Sequence, residues 1–143
     1  MNKLVVDASV VLKWLGLFHH EPLVDRAQDL LDRWLQGSVD LLAPDLVWAE
    51  VANAHWRGAR QNRFTTLDAQ ASLATLHGHG LPTVRSEPFI DQALQIALRH
   101  GRSAYDSLYV ALADSLHSTL VTADEKLANA VAGSFPVKWL GAI

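Results

Sequence analysis

The chain has 143 residues, half of them hydrophobic and 19% charged, with a formal net charge of −3 and no cysteine. That length supports one ordinary domain with its own core, expected to span residues 1–143, and the composition excludes a disordered chain. The missing cysteines exclude disulfides, thiol catalysis and Cys-ligated zinc, and the acidic balance argues against a nucleic-acid binder, although the distribution of charge can matter more than its sum.

The N-terminal stretch Met-Asn-Lys-Leu-Val-Val-Asp meets an acid too soon for a signal peptide, and no run approaches the roughly 18 apolar residues of a membrane span. A soluble protein, free of membrane and cytoplasmic, is therefore expected. Residues 4–6 form a β-branched apolar run ended by Asp7, the pattern of a buried strand, with a helix following from about Ser9. Residues 16–22 break the pattern. Leu23, Ala27, Leu30, Leu31, Trp34 and Leu35 then recur at helical spacing until Gly37. Residues 41–42 read as a second strand. Pro44 is placed to open the next helix, with Val47, Val51 and Ala54 on one stripe and Glu50, Asn53 and Arg57 on another.

Beyond a polar connection over 61–66, Thr65 and Asp68 have capping-box spacing for a helix ending near Gly78 and Gly80. A third strand at 81–84, a helix over 88–100 closed by Gly101, and a helix over 103–116 follow. A strand at 119–121, a helix over 124–131 and a strand at 137–140 complete the chain, which has no internal repeat, low-complexity tract or linker. Short strands alternating with longer helices predict an α/β fold: a three-layer α/β/α sandwich on a short-stranded, mostly parallel central sheet. In such sheets ligands bind outside the carboxyl ends of the strands, where the strand order reverses.

Two strands end in acids, Asp7 and Asp124, and would bring them to one rim if they were neighbours. Glu50 lies early in the helix after the second strand, and Asp106 in the first turn of the helix before the strand that leads to Asp124. Each acid also has a plain structural explanation. Asp7 can be a turn residue, and Asp106 a capping-box acid three places after Ser103. Asp124 can be a first-turn acid beside Glu125, itself in a second capping box with Thr122, and Glu50 can be solvated. Glu50 nevertheless sits in Val-Trp-Ala-Glu-Val-Ala-Asn, where a lone carboxylate among apolar neighbours is costly. Four converging carboxylates would push one another's pKa values up unless a cation joined them. An oxygen-only donor set suits Mg2+ or Mn2+, which can activate a water for attack on phosphorus.

Four blocks carry a family resemblance: Val-Asp-Ala-Ser-Val at 6–10, Ala-Glu-Val-Ala-Asn at 49–53, Ala-Tyr-Asp-Ser-Leu-Tyr-Val-Ala-Leu-Ala at 104–113 and Leu-Val-Thr-Ala-Asp-Glu-Lys-Leu at 120–127. In this order, over nearly the whole chain, they resemble PIN-domain ribonucleases of the VapC toxin type. The resemblance implies an endoribonuclease dependent on Mg2+ or Mn2+, with Asp7, Glu50, Asp106 and Asp124 as its acidic quartet and metal ligands. It further implies that Ser9, Asn53 and Thr122 support the acids or the metal, that the protein is a homodimer, and that its partner is a small antitoxin that plugs the acidic groove. Ser103 is expected to hold Asp106 in place as a helix cap.

RNA phosphates would need bases near the acids. Arg57 shares a helical face with Glu50, and Lys13, Arg102 and Lys126 are close to the other acids in sequence; each also reads as a solvated surface charge. Two bound divalent ions, adding +4 to −3, would bring the chain to +1. The histidine pairs His19, His20 and His77, His79 lack zinc-hydrolase spacing and read as solvated loops, whereas His100 is near enough to Asp106 to reach a substrate. Trp34 and Trp48 read as core or dimer surface, and Trp14 as core or a groove residue able to stack a base. Two other functions share these features: a non-catalytic protein-binding module of the same fold, and a phosphatase-like Mg2+-dependent phosphoryl-transfer enzyme. The latter normally carries a second acid two residues after the first, where Ser9 stands.

Overall fold

The computed structural model describes residues 2–143. Strand β1 (Asn2–Val6) runs into helix α1 (Ala8–Leu12), and a 3-10 turn (Gly16–Phe18) leads to α2 (Val24–Leu35). Next come β2 (Val39–Pro44), α3 (Leu46–Arg60), α4 (Thr66–His79) and β3 (Thr83–Val84). A 3-10 turn (Glu87–Phe89) precedes α5 (Ile90–His100), which is followed by α6 (Ala104–Ser115), β4 (Thr119–Thr122), α7 (Glu125–Val131) and β5 (Val137–Trp139).

All five strands are parallel, in the order β3-β2-β1-β4-β5. The chain therefore builds outward from β1 through β2 to β3, then returns to the other side of β1 to lay down β4 and β5. The reversal lies between β1 and β4, paired from Leu4↔Thr119 to Val6↔Val121, so the two carboxyl ends that carry Asp7 and Asp124 are neighbours. The helices cover the sheet as an α/β/α sandwich, and Val5, Val6, Leu120 and Val121 are buried as the central strands of a parallel sheet require. Helix α6 is the central one: it packs against β1, β2 and β4, lies under α5, and is buried from Ser107 to Ala113. Among the described residues no helix is long and apolar enough to cross a membrane.

The helix ends follow the sequence signals. Thr65 and Asp68 form a reciprocal capping box, and Gly80 and Gly101 close α4 and α5 in the left-handed conformation (both φ +69°). Some boundaries differ from expectation. Pro44 ends β2 rather than opening α3. The Ala43 and Asp45 N–H groups bond across to Pro82, just before β3, and to Val84 within it, so the position between them faces the β1 side. The β1 pairing has already ended there, at Val5↔Leu42, and a proline forfeits no ladder bond. Leu140 leaves the last strand for a 3-10 turn (Leu140–Ala142), and residues 88–89 belong to the turn before α5.

Candidate active site

Asp7 follows directly on β1 and caps α1, and its carboxylate is almost wholly buried. Oδ1 accepts the Ser9 hydroxyl at 2.5 Å and the Val10 N–H at 3.3 Å, while Oδ2 accepts the Thr122 hydroxyl at 2.5 Å. Each hydroxyl in turn accepts a backbone N–H from the turn after β4: Ala123 to Ser9 at 3.0 Å and Asp124 to Thr122 at 3.1 Å. Ser9 and Thr122 thus tie the ends of β1 and β4 together through Asp7. Burial lifts the Asp7 carboxyl from 3.8 to about 6; the two hydroxyls and the Val10 N–H pull it down, and the charge of Asp106 adds a smaller push upward.

The first turn of α6 supplies Asp106. Ser103 is its cap, accepting the Asp106 N–H at 3.0 Å. The Asp68 carboxylate returns to its cap backbone, at 3.3 Å from Thr65 N, whereas the Asp106 carboxylate turns to Arg102, whose Nη2 lies 3.3 Å away. The same Nη2 donates to Asp124 Oδ2 at 3.1 Å. Asp124 is itself the cap of α7, its Oδ1 accepting the Leu127 N–H at 3.1 Å, and not a first-turn acid. Arg102 is three-quarters buried, and among the described residues its Nε has no hydrogen-bond partner.

Glu50, on α3, accepts the Tyr109 hydroxyl at 2.5 Å. Tyr109 stands three residues after Asp106 on α6, and its ring is buried. Burial raises the Tyr109 pKa, and the neighbouring Glu50 raises it further, so the residue is a neutral donor. Burial likewise raises Glu50, opposed by the Tyr109 hydrogen bond and assisted by Asp106. Asp106 is the hub: its charge is felt by Asp7 and Glu50, and it shares Arg102 with Asp124. Against four carboxyl groups the rim sets, among the described residues, one bonded guanidinium. An oxygen-only donor set with surplus negative charge is the chemistry that Mg2+ or Mn2+ accepts, and the four carboxyls are the groups here able to ligate it. Among the described residues no three such side chains close on a common point in this conformation.

The remaining expected residues divide. Arg57 and Asn53 are exposed, and with Leu46, Ala49, Glu50 and Tyr105 they line a cavity of about 360 Å³ beside the acids. Among the described residues Asn53 bonds to no acid. Lys126 is exposed on α7. Lys13 requires a correction: it is buried and bonded to Glu21 at 3.1 Å, so its charge is spent within the fold rather than offered to a phosphate. Trp14 is corrected as well. It is buried, its indole N–H donates to Ala27 O at 2.9 Å, and its ring stacks on Trp34, which makes it core and not a groove residue. His77 stacks on Trp48 and His79 meets Trp14 edge-on, while His100 packs against Phe135. Tyr109 escapes sequence reasoning because it reads as one more apolar position of a buried helix. Its spacing of three from Asp106 is the only signal that places both on one helix face.

A parallel sheet with an acidic rim at its switch point defines the class of α/β protein, and the comparisons give the family. The PIN domain model matches residues 4–132. Ribonuclease VapC3 of Pyrobaculum aerophilum is 33% identical over 129 residues, covering 89% of this chain and 93% of its own. Ribonuclease VapC1 of Mycobacterium tuberculosis is 34% identical over 133 residues, covering 91% and 92%. The chain belongs to the PIN-domain family. Two solved structures share the fold. A Pyrobaculum aerophilum protein, PAE2754, has a TM-score of 0.70 at 24% identity, covering 99% of this chain and 92% of its own. VapBC-5 from Mycobacterium tuberculosis, of the VapBC family of toxin-antitoxin systems, has a TM-score of 0.58 at 18% identity, covering 97% and 98%.

Proposed function

We propose that this chain is a divalent-metal-dependent endoribonuclease and the toxin of a toxin-antitoxin pair. The observation that supports this reading is the acidic rim: Asp7 and Asp124 stand just beyond the neighbouring strands β1 and β4, Arg102 bonds Asp106 and Asp124, and the charge of Asp106 acts on Asp7 and Glu50. The names of its relatives, ribonucleases, support the substrate class. Asp7, Asp106 and Asp124, with Glu50, would hold Mg2+ or Mn2+, which when bound supplies a more acidic water and neutralises charge on the leaving oxygen.

The chain's own residues do the rest. Ser9 and Thr122 fix both oxygens of Asp7, so that its position is set before any ligand arrives. Tyr109 holds one oxygen of Glu50 and leaves the other to orient the attacking water or to take its proton. Arg102 supplies positive charge next to Asp106 and Asp124, where a phosphate would otherwise meet only carboxylates. Arg57 and Lys126, both exposed, would contact the RNA backbone.

The antitoxin reading rests on the fold shared with VapBC-5, a member of a family of toxin-antitoxin systems, and the acidic rim is where a basic segment of such a partner would bind. Ile90, Leu94 and Leu98 form an exposed apolar stripe along one side of α5, which supports a homodimer. A cytoplasmic location accords with an RNA substrate. The deciding experiment compares wild type with Asp7→Asn and Asp106→Asn on RNA in Mg2+ or Mn2+. Cleavage should fall by about two orders of magnitude or more in each variant, the scale of losing a preorganised electrostatic group, and EDTA should silence the wild type. Undiminished cleavage by both variants overturns the reading.

A further inference from the structure

The cavity beside the acids has no part in the arrangement of the carboxyls, yet it shares Glu50 with them. Its floor is the side of α3 that carries Leu46, Ala49, Asn53 and Arg57, and its wall is Tyr105, the residue immediately before Asp106 in the first turn of α6. Tyr105 is 63% exposed, an aromatic ring left open on a helix that is buried from Ser107 to Ala113. Among the described residues neither the Asn53 amide nor the Arg57 guanidinium has a hydrogen-bond partner. The cavity therefore offers a bare aromatic face, an amide able both to donate and to accept, and a free guanidinium, at about 360 Å³. A planar ring with a hydrogen-bonding edge and a phosphate nearby matches all three groups. A nucleobase is such a ring, and stacking on an aromatic side chain is the ordinary way that proteins hold an unpaired one.

We propose that this cavity is a base-binding subsite that takes one unstacked nucleobase of single-stranded RNA, next to the phosphodiester cut at the acidic rim. The base stacks on Tyr105, the Asn53 amide meets its edge, and the following phosphate reaches Arg57. This rests on the nuclease reading of the rim. It makes unpaired RNA the substrate, because a base held in a duplex cannot enter the cavity, and it makes Asn53 the residue that prefers one base to another.

The test uses the full chain and a short fluorescent single-stranded RNA whose cut position has been mapped, with a non-hydrolysable linkage placed there for binding. A second copy of the oligonucleotide lacks the one base that flanks the cut. Wild type should bind the abasic oligonucleotide roughly ten- to a hundredfold more weakly, the scale of one lost stacking contact. Tyr105→Ala should weaken binding of the intact RNA by a similar factor and no longer tell the two apart. Tyr105→Phe should behave as wild type. On cleavable RNA, Tyr105→Ala should raise KM and leave kcat nearly unchanged, and Asn53→Ala should flatten the preference among bases. The subsite is overturned if Tyr105→Ala still distinguishes the abasic RNA, or if it alters only self-association in sedimentation, which would assign the ring to a protein interface. Failure of the nuclease reading registers separately, as undiminished cleavage by Asp7→Asn.

Discussion

Asp7 concentrates the physics of the site in one residue. Its carboxyl is buried at the end of β1 and satisfied by two hydroxyls and an amide, yet burial outweighs them and holds its pKa at about 6 against 3.8 for the free side chain. Between these values the folded chain binds more protons than the unfolded one, so the contribution of Asp7 to stability falls as pH rises. It is fully present below about 3.8, is lost as pH passes through about 6, and is constant above. A difference of about two pKa units corresponds to about 3 kcal/mol at most. In EDTA, the stability difference between wild type and Asp7→Asn should therefore move by about 2–3 kcal/mol in favour of the variant from pH 4 to pH 7. Urea unfolding at several pH values measures it, and a difference independent of pH would show that Asp7 does not titrate in this range. The same residue explains why the sequence is informative here. A buried strand must deliver its last side chain to the rim, so acids at the ends of two apolar runs are readable as rim residues, and hence as site candidates, without knowledge of their contacts.

Elements are legible where a local signal defines them and opaque where the reason is tertiary. The caps at Thr65, Ser103, Gly80 and Gly101 are each written within a few residues, and their helices begin or end there. Pro44 misleads because its tolerance depends on where the β1 pairing stops, a fact of the sheet and not of the segment. Tyr109 and the bridging place of Arg102 are invisible for the same reason: their partners are on other elements. Gly58 is a further instance. Inside α3 a glycine reads as a helix weakness, and alanine there would ordinarily gain up to about 1 kcal/mol. A Cβ at this position, however, would stand 2.2 Å from Cζ and 2.6 Å from Cε2 of Phe64, on the connection between α3 and α4. That ring cannot retreat freely, since Phe18 and His55 lie against it with ring centres 5.9 and 6.3 Å away. Overpacking of this kind costs about 1–3 kcal/mol, more than the propensity returns. Gly58→Ala should lower Tm by a few degrees in a thermal scan, and Phe64→Leu in the same chain should recover part of the loss. A Gly58→Ala variant more stable than wild type would mean that Phe64 gives way without resistance.

At the scale of the whole molecule the central fact is a chain of net charge −3 that gathers four carboxyl groups at one rim and bonds two of them to a single arginine. RNA, itself an anion, is repelled from such a rim until cations are bound there. Arg102 is the cation already in place, but one of its nitrogens, Nη2, is shared by Asp106 and Asp124, while its Nε is buried and, among the described residues, without a partner. A divalent ion bound through those same two oxygens would compete with the guanidinium, so binding of the ion and retention of the bridge would oppose each other. Because an ion that binds only the folded state stabilises it by mass action, the competition is visible in unfolding. At a free ion concentration about 100 times Kd the gain is about 2.7 kcal/mol, and at roughly 2–4 °C per kcal/mol for a chain of this size Tm should rise by about 5–10 °C. Arg102→Ala should begin from a lower Tm in EDTA, since it leaves Asp106 and Asp124 facing each other unpaired. It should then show the larger rise with Mn2+, and calorimetric titration should give the tighter Kd. Equal rises in the two proteins would mean that the ion and the guanidinium do not contend for the same oxygens. A smaller rise in the variant would make Arg102 an organiser of the metal site instead of its competitor.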